Sequence, residues 1–508
     1  MEIWFIIVVT LCISFFLKSL FNLINSPDSK CKKKLPPGPY SFPVIGSLLW
    51  AVRTSADLER ILRNLKAKYG PLITLNMGSR STIFIASHSL AYQALVQQGA
   101  VSSDRLTSEV RNISLSPYGP VWRLFRRNLT SEILHPSRIK SYSKARSWVL
   151  SILLQQLRNA QVDSVKLVDH FQYATFCLLV LMCFGDKVEE AQIKQIESIQ
   201  RRFLLALRRF NILNLFPIVG KIIFRNRWNE RIGLLQEQEK IFIPLIETRS
   251  KAKEQKPEHG ELEDELVVAY VDTLLNLELP EENRKLNNGE MISLCSEFLI
   301  AGTDTTSTVL QWVMANLVKN PSIQEKLYQE IASVVGKKQR KLTEEEVVKE
   351  EDLQKMPYLK AVILEGLRRH PPGHFVIPHI VTEEIELNGY IVPKNATINF
   401  MIADMGLDPK VWEDPLEFRP ERFLAEGSDF DITGSREIKM MPFGAGRRIC
   451  PGLALAMLHL EYFVGNLVWH FQWKPVEGDD VDLSEKLEFT VVMKNPLRAC
   501  ICPRVNSV

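Results

Sequence analysis

The chain has 508 residues, 46% of them hydrophobic, enough for one large domain or two to three average ones. A formal net charge of +4 without a long basic block is too small to imply a nucleic-acid partner. Eight scattered cysteines exclude a disulfide scaffold and point to a reducing compartment; the tightest pair, Cys500-x-Cys502, has no histidine or second pair to complete a zinc set.

Ile3 to Leu17 is an uncharged apolar run, extended to Ile24 with Lys18 as its only charge. At about 1.5 Å per residue the stretch matches the thickness of a bilayer core, and Lys18 can snorkel to the interface. Lys30, Lys32, Lys33 and Lys34 follow while only Glu2 precedes, so the positive-inside rule keeps everything downstream cytosolic. A cleaved signal peptide would carry a basic start and a small-residue cleavage site, and neither is present. Residues 1–24 are therefore expected to be an uncleaved single-pass transmembrane anchor. Residues 25–40 form a basic, proline-rich hinge containing Leu35-Pro36-Pro37-Gly38-Pro39, and 41–508 a single large domain. On the cytosolic side the sequons at Asn112, Asn128 and Asn395 are accidental.

Leu72 to Leu75 and Thr82 to Ala86 are β-rich runs separated by Gly78 and Ser79, a hairpin signal. From Ser89 to His370 the apolar spacing is mostly helical, as in Val149 to Leu157 and Met291 to Val318. Trp122 and Arg126 lie one turn apart on the same face, with Arg123 and Arg127 beside them. Arg202 to Trp228 mixes arginines with apolar residues around Pro217, a composition that suits a surface dipping into a membrane interface. Lys251 to Glu265 reads as an exposed loop. Ala301-Gly302-Thr303-Asp304-Thr305-Thr306 interrupts an apolar helical stretch with residues that prefer caps and turns, a cost that suggests a task. Glu365 and Arg368 share one helical face. Short strands are expected around Ile377 to Val392 and Phe489 to Ile501. The fold class is mainly α with a minor β-sheet.

Near the end stands Phe443-Gly444-Ala445-Gly446-Arg447-Arg448-Ile449-Cys450-Pro451-Gly452. Gly444 and Gly446 let the backbone turn tightly, bringing its amides close to the sulfur. Pro451 suits the first turn of a helix whose positive end favours a thiolate. Arg448 is placed to meet a haem propionate and Phe443 to shield the sulfur from water. A cysteine thiolate in this frame is the kind of ligand that pushes electron density onto haem iron and favours O–O cleavage.

This segment resembles the cysteine loop of the cytochrome P-450 superfamily, the haem-thiolate monooxygenases, and the resemblance extends over nearly the whole chain. Asn128-Leu129-Thr130-Ser131-Glu132-Ile133-Leu134-His135-Pro136 and Arg369-His370-Pro371-Pro372-Gly373-His374-Phe375 are similar to the plant A-type clan, family eighty-nine, subfamily A. The resemblance implies the cytochrome P-450 fold and haem b (iron protoporphyrin IX) with Cys450 as axial iron ligand. It implies that Ala301 and Gly302 open room for dioxygen while Thr305 and Asp304 manage dioxygen and protons. Trp122, Arg126, His379 and Arg448 would hold the propionates. Glu365, Arg368 and Arg422, the last in Phe418-Arg419-Pro420-Glu421-Arg422-Phe423, would form a buried ion triad bracing the cysteine loop.

No P-loop, flavin or dinucleotide motif surrounds these residues. Electrons must then come from a partner, which the resemblance makes an NADPH–cytochrome P-450 reductase of the endoplasmic reticulum membrane, with cytochrome b5 as a second donor. Arg123, Arg127 and Arg447 give the cysteine side a positive docking face. The expected activity is insertion of one atom of dioxygen into a small apolar organic substrate, in plant specialised or catabolic metabolism. Two alternatives stay open: a haem-thiolate isomerase or dehydratase acting on a peroxide without a reductase, against which Thr305 speaks, and a non-catalytic haem-binding membrane protein, for which Asp304 and Thr305 are needless. Pocket candidates are Ser102 to Tyr118 (shorter than expected for such relatives), Arg202 to Trp228, Phe298 to Thr306, His374 to Ile377 and Thr490 to Val492.

Overall fold

The computed structural model describes residues 55–504 except 78–79, 106–109, 160–164, 186–187, 216–220, 255–267, 337–346, 425–429 and 479, together with 10, 14 and 34–39. The expected anchor therefore lies outside the described residues apart from two positions. So do Pro217 and most of the expected loop at 251–265.

The longer elements are α1 (Ser55–Tyr69), β1 (Leu72–Met77), β2 (Arg80–Ile85), α2 (Pro120–Asn128), α3 (Ser143–Asn159), α4 (Leu167–Phe184), α5 (Glu190–Leu215), α6 (Arg225–Glu254), α7 (Asn288–Lys319), α8 (Pro321–Val335), α9 (Pro357–Arg369), β3 (His379–Ile380), β4 (Thr397–Phe400), α10 (Leu453–His470), β5 (Phe471–Lys474), β6 (Glu485–Leu487), β7 (Val491–Met493) and β8 (Arg498–Pro503). Helices dominate, and one four-stranded sheet runs in the order β1-β2-β4-β3. β2 pairs parallel with β4, Ile83 opposite Ile398, while the other two pairings are antiparallel.

The long helix α7 is the axis of the molecule. It starts on a capping box, in which Asn287 Oδ1 accepts from the Glu290 amide at 2.9 Å and Glu290 accepts from the Asn287 amide at 3.0 Å. Pro321, which cannot extend a helix interior but suits a first turn, opens α8 directly beyond it. α7 packs on α4, α9 and α10, and their apolar faces make the main core. Among the described residues α4 is the one helix long and apolar enough to cross a membrane, yet 67% of it is buried in this core. It is a core helix.

A smaller apolar cluster fills the space beneath the sheet. The described part of the expected hinge is seated on that sheet at β1 and on the separate hairpin of Ile385–Leu387 with Tyr390–Val392. The Thr74 amide donates to Pro37 O at 2.9 Å and the Ile391 amide to Lys34 O at 3.1 Å. A Cβ at Gly38 would stand 1.9 Å from Thr74 O, so only glycine permits this approach. Residues 34–39 are thus docked, because the carbonyls of Pro37 and Lys34 accept from β1 and from that hairpin.

Candidate haem-thiolate site

The cysteine segment is a tight loop leading into α10. Gly444 and Gly446 both have φ +69°, and a Cβ at Gly446 would meet Leu95 O at 2.1 Å. The Cys450 amide donates to Phe443 O at 2.9 Å and closes the loop. Gly452, not Pro451, caps α10, so the first turn begins just past the expected proline. Burial pushes the Cys450 thiol pKa up; a hydrogen bond from the Gly452 amide and the charge of Arg126 oppose it.

Behind the loop, Glu365 binds Arg368 through both carboxylate oxygens, at 2.7 and 2.8 Å, and accepts from Arg422 Nε at 3.2 Å. It also accepts from the Arg419 amide at 2.8 Å. Arg368 spends its remaining donors on the carbonyls of Gly406, Pro415 and Glu417 and lies over the Trp412 ring. The Glu365 and Arg368 side chains are 0% exposed, so each charge depends wholly on its protein partners.

On α7, Ala301 is exposed and Thr305, one turn later, shares its face; the Thr305 hydroxyl donates to Ala301 O at 2.6 Å. Gly302, half-buried beside it, turns its Cβ direction toward α4. A Cβ there would lie 2.7 Å from Leu179 Cδ1, so Gly302 serves the close approach of α7 to α4. Asp304 is held by Gln172 Nε2 at 3.3 Å and Arg201 Nη1 at 3.4 Å. Burial raises its pKa to about 6, Arg201 acting against the rise and Glu488 with it.

The expected propionate donors converge, but several are engaged by the segment 102–118. Arg448 donates to Ser103 O (2.8 Å), Ile113 O (3.1 Å) and Ser116 O (2.8 Å), and its guanidinium stacks over Trp122 at 4.5 Å. Trp122 Nε1 donates to the same Ile113 O at 3.1 Å. His379 Nδ1 lies 2.7 Å from Ser102 O, which only accepts, so this nitrogen carries the proton. Burial, with Arg105 and Arg448 nearby, lowers its pKa to about 3, leaving a neutral ring whose other nitrogen is an acceptor. His379 thus spends Nδ1 on the Ser102 carbonyl, and Nε2 is the ring atom left for another partner.

Arg105 is a residue the sequence reading missed. It is 8% exposed and donates to Ser114 O at 2.9 Å and Pro378 O at 3.0 Å. Burial, then Arg448, lower its pKa to about 9; burial, then chiefly Arg126, lower that of Arg448 to about 10 while Asp104 opposes. The nearby carboxylates, Asp104 and Glu297, are occupied by backbone amides of Arg105, Tyr118, Ile113 and Ser114. Arg126 forms no side-chain hydrogen bond or ion pair with a described residue. A buried cysteine beside such a surplus of cations fits a dianionic iron porphyrin. Glu297, a carboxylate inside the apolar Ile292 to Ile300 run, was the one legible signal for this part of the site; Arg105 stands in a polar stretch that gives no such sign.

The family model described as Cytochrome P450 matches residues 36–502. Cytochrome P450 89A9 of Arabidopsis thaliana is 49% identical over 98% of this chain and 98% of its own length. Geraniol 8-hydroxylase of Catharanthus roseus is 31% identical over 97% and 98%. A zebrafish cytochrome P450 solved with progesterone shares the fold with a TM-score of 0.71 at 21% identity, covering 88% of this chain and 99% of its own. The chain belongs to the cytochrome P450 family. It is a haem monooxygenase whose sequence stands with plant enzymes.

Proposed function

We propose that the protein is a membrane-anchored monooxygenase that oxidises, typically by hydroxylation, a small apolar organic substrate. The observation that carries this reading is the Cys450 loop next to the cationic cluster. Cys450 would be the axial ligand, and Arg126, Arg105 and Arg448, with Trp122, would meet the propionates. Haem supplies the one-electron and dioxygen chemistry when bound. Phe443 packs at the core edge beside the loop and keeps water from the sulfur. Ala301 leaves open space, and the Thr305 hydroxyl, on the same face, is the group that positions a proton there. Asp304, poised near neutrality, takes protons from the Arg201 side and passes them inward. Glu365, Arg368 and Arg422 hold the segment from which the cysteine loop springs. Ile377 and Phe489, apolar yet 48% and 46% exposed, support an apolar pocket lining.

Residues 1–24 serve as the anchor in the endoplasmic reticulum membrane, 25–40 as the hinge and 41–508 as the cytosolic catalytic domain. Electrons come from NADPH through its cytochrome P450 reductase, with cytochrome b5 as an auxiliary donor. Arg447 donates to the Tyr118 hydroxyl at 2.5 Å and Arg123 lies over the same ring, while Arg127 is exposed. These three form the positive docking face.

The test is the difference spectrum of the reduced protein with carbon monoxide. The parent should show the thiolate-type band and Cys450→Ser should lose it; its absence from folded, haem-loaded parent overturns the reading. With reductase supplied, Asp304→Asn should slow oxygen consumption about a hundredfold, the usual weight of a positioned proton-transfer group.

A further inference from the structure

Two consecutive peptide units of the pocket segment, at Ile113 and Ser114, are held by charged side chains from elsewhere. Glu297 on α7 accepts from the Ile113 amide through Oε2 at 2.8 Å and from the Ser114 amide through Oε1 at 2.6 Å. The carbonyls of the same residues are taken by Arg448 and Trp122 at Ile113 and by Arg105 at Ser114. Glu297 lies one helical turn before Ala301 and two before Thr305, so the helix that lines the reaction space also grips the segment beside it. The grip is charge-assisted and two-pronged, which fixes direction as well as distance. Asn112 Oδ1 caps the Leu115 amide at 2.9 Å, so the stretch behind the two peptides moves as one piece.

We propose that Glu297 is the positioning residue that sets where residues 112–116 stand over the pocket, and thereby which substrates the enzyme admits. The proposal rests on the haem-thiolate reading of the site. Glu297 touches no reacting atom; it acts through the two peptide units it holds. A wall held in place before binding costs a bulky ligand little ordering, whereas a loosened wall must be ordered at the ligand's expense. A small ligand that contacts only the iron is indifferent to the wall.

Two variants of the full-length, haem-loaded protein test it. Glu297→Gln keeps the shape but sets an amide N–H against a backbone N–H, and Glu297→Ala removes both acceptors. Spectral titrations with imidazole and with clotrimazole should separate: the clotrimazole dissociation constant rises at least tenfold while that of imidazole changes less than twofold. Hydrogen exchange at the Ile113 and Ser114 amides should quicken at least tenfold in both variants. Equal shifts for the two azoles, or unchanged exchange, overturn the proposal. So does loss of the carbon monoxide band in the isosteric Glu297→Gln variant, which would make Glu297 a residue of haem retention. A parent protein without that band defeats the haem-thiolate reading itself, a separate outcome.

Discussion

Glu365, Arg368 and Arg422 sit where water cannot replace a lost partner. Truncating Arg368 to Ala leaves Glu365 charged and buried, and should cost about 3–5 kcal/mol. Denaturant unfolding measures that loss, and the carbon monoxide band should fall with it; a variant of unchanged stability would show the network to be dispensable. Gly302 makes a different prediction from the one its motif suggests. Because its α-hydrogen face meets Leu179, Gly302→Ala should cost about 1–2 kcal/mol through overpacking, and Leu179→Ala in the same protein should recover part of it. Oxygen consumption per folded molecule should stay near the parent value. A loss of oxygen use at unchanged stability would return Gly302 to the dioxygen space.

At the scale of elements, His374 ties α1 to β6. Its Nδ1 lies 2.6 Å from Glu59 Oε2 and its Nε2 lies 3.2 Å from Glu485 Oε2. Both ring nitrogens face acceptors, so both must carry protons. Burial opposes that charge, but the hydrogen bonds to Glu485 and Glu59 prevail and raise the pKa to about 9. A raised histidine pKa gives stability that is full below about 6.5, its unfolded value, and is lost as pH climbs through about 9. Unfolding free energy should therefore drop by about 3 kcal/mol between pH 6 and 10 on this account, and His374→Gln should flatten that part of the profile. Elements themselves were readable where period and punctuation agree: the β1–β2 hairpin and the Met291 to Val318 helix follow their apolar patterns. The division of labour between Ala301 and Gly302 was not. Neighbours on a helix point about 100° apart, so one residue faces the opening and the next faces α4, and a motif quoted as a unit hides this. The Ser102 carbonyl that holds His379 Nδ1 was likewise hidden, because it lies 277 residues away in the chain and no spacing reveals it.

For the whole molecule, the cysteine frame made the family legible from a few residues, while the cationic surplus around it needed three dimensions. Arg105, Arg126 and Arg448 come from separate parts of the chain, and only folding brings them beside one another. The outer surface carries its own prediction. Ile222 and Ile223 are 75% and 66% exposed, with Lys221, Arg225 and Arg227 close in sequence. Protein lacking residues 1–24 should keep its carbon monoxide band and still sediment with anionic vesicles, and Ile222→Glu with Ile223→Glu should weaken that binding about tenfold. Equal sedimentation of both proteins would remove this surface from the membrane reading. The clasp on Ile113 also has a consequence in time. Its carbonyl waits for Arg448, 335 residues later in the chain. At ribosomal rates of about 5–20 residues per second, that arginine is made roughly 20–70 s after its acceptor. Throughout that interval the nascent chain carries an Ile113 carbonyl without this partner, so the pocket wall is completed only after Arg448 has been made.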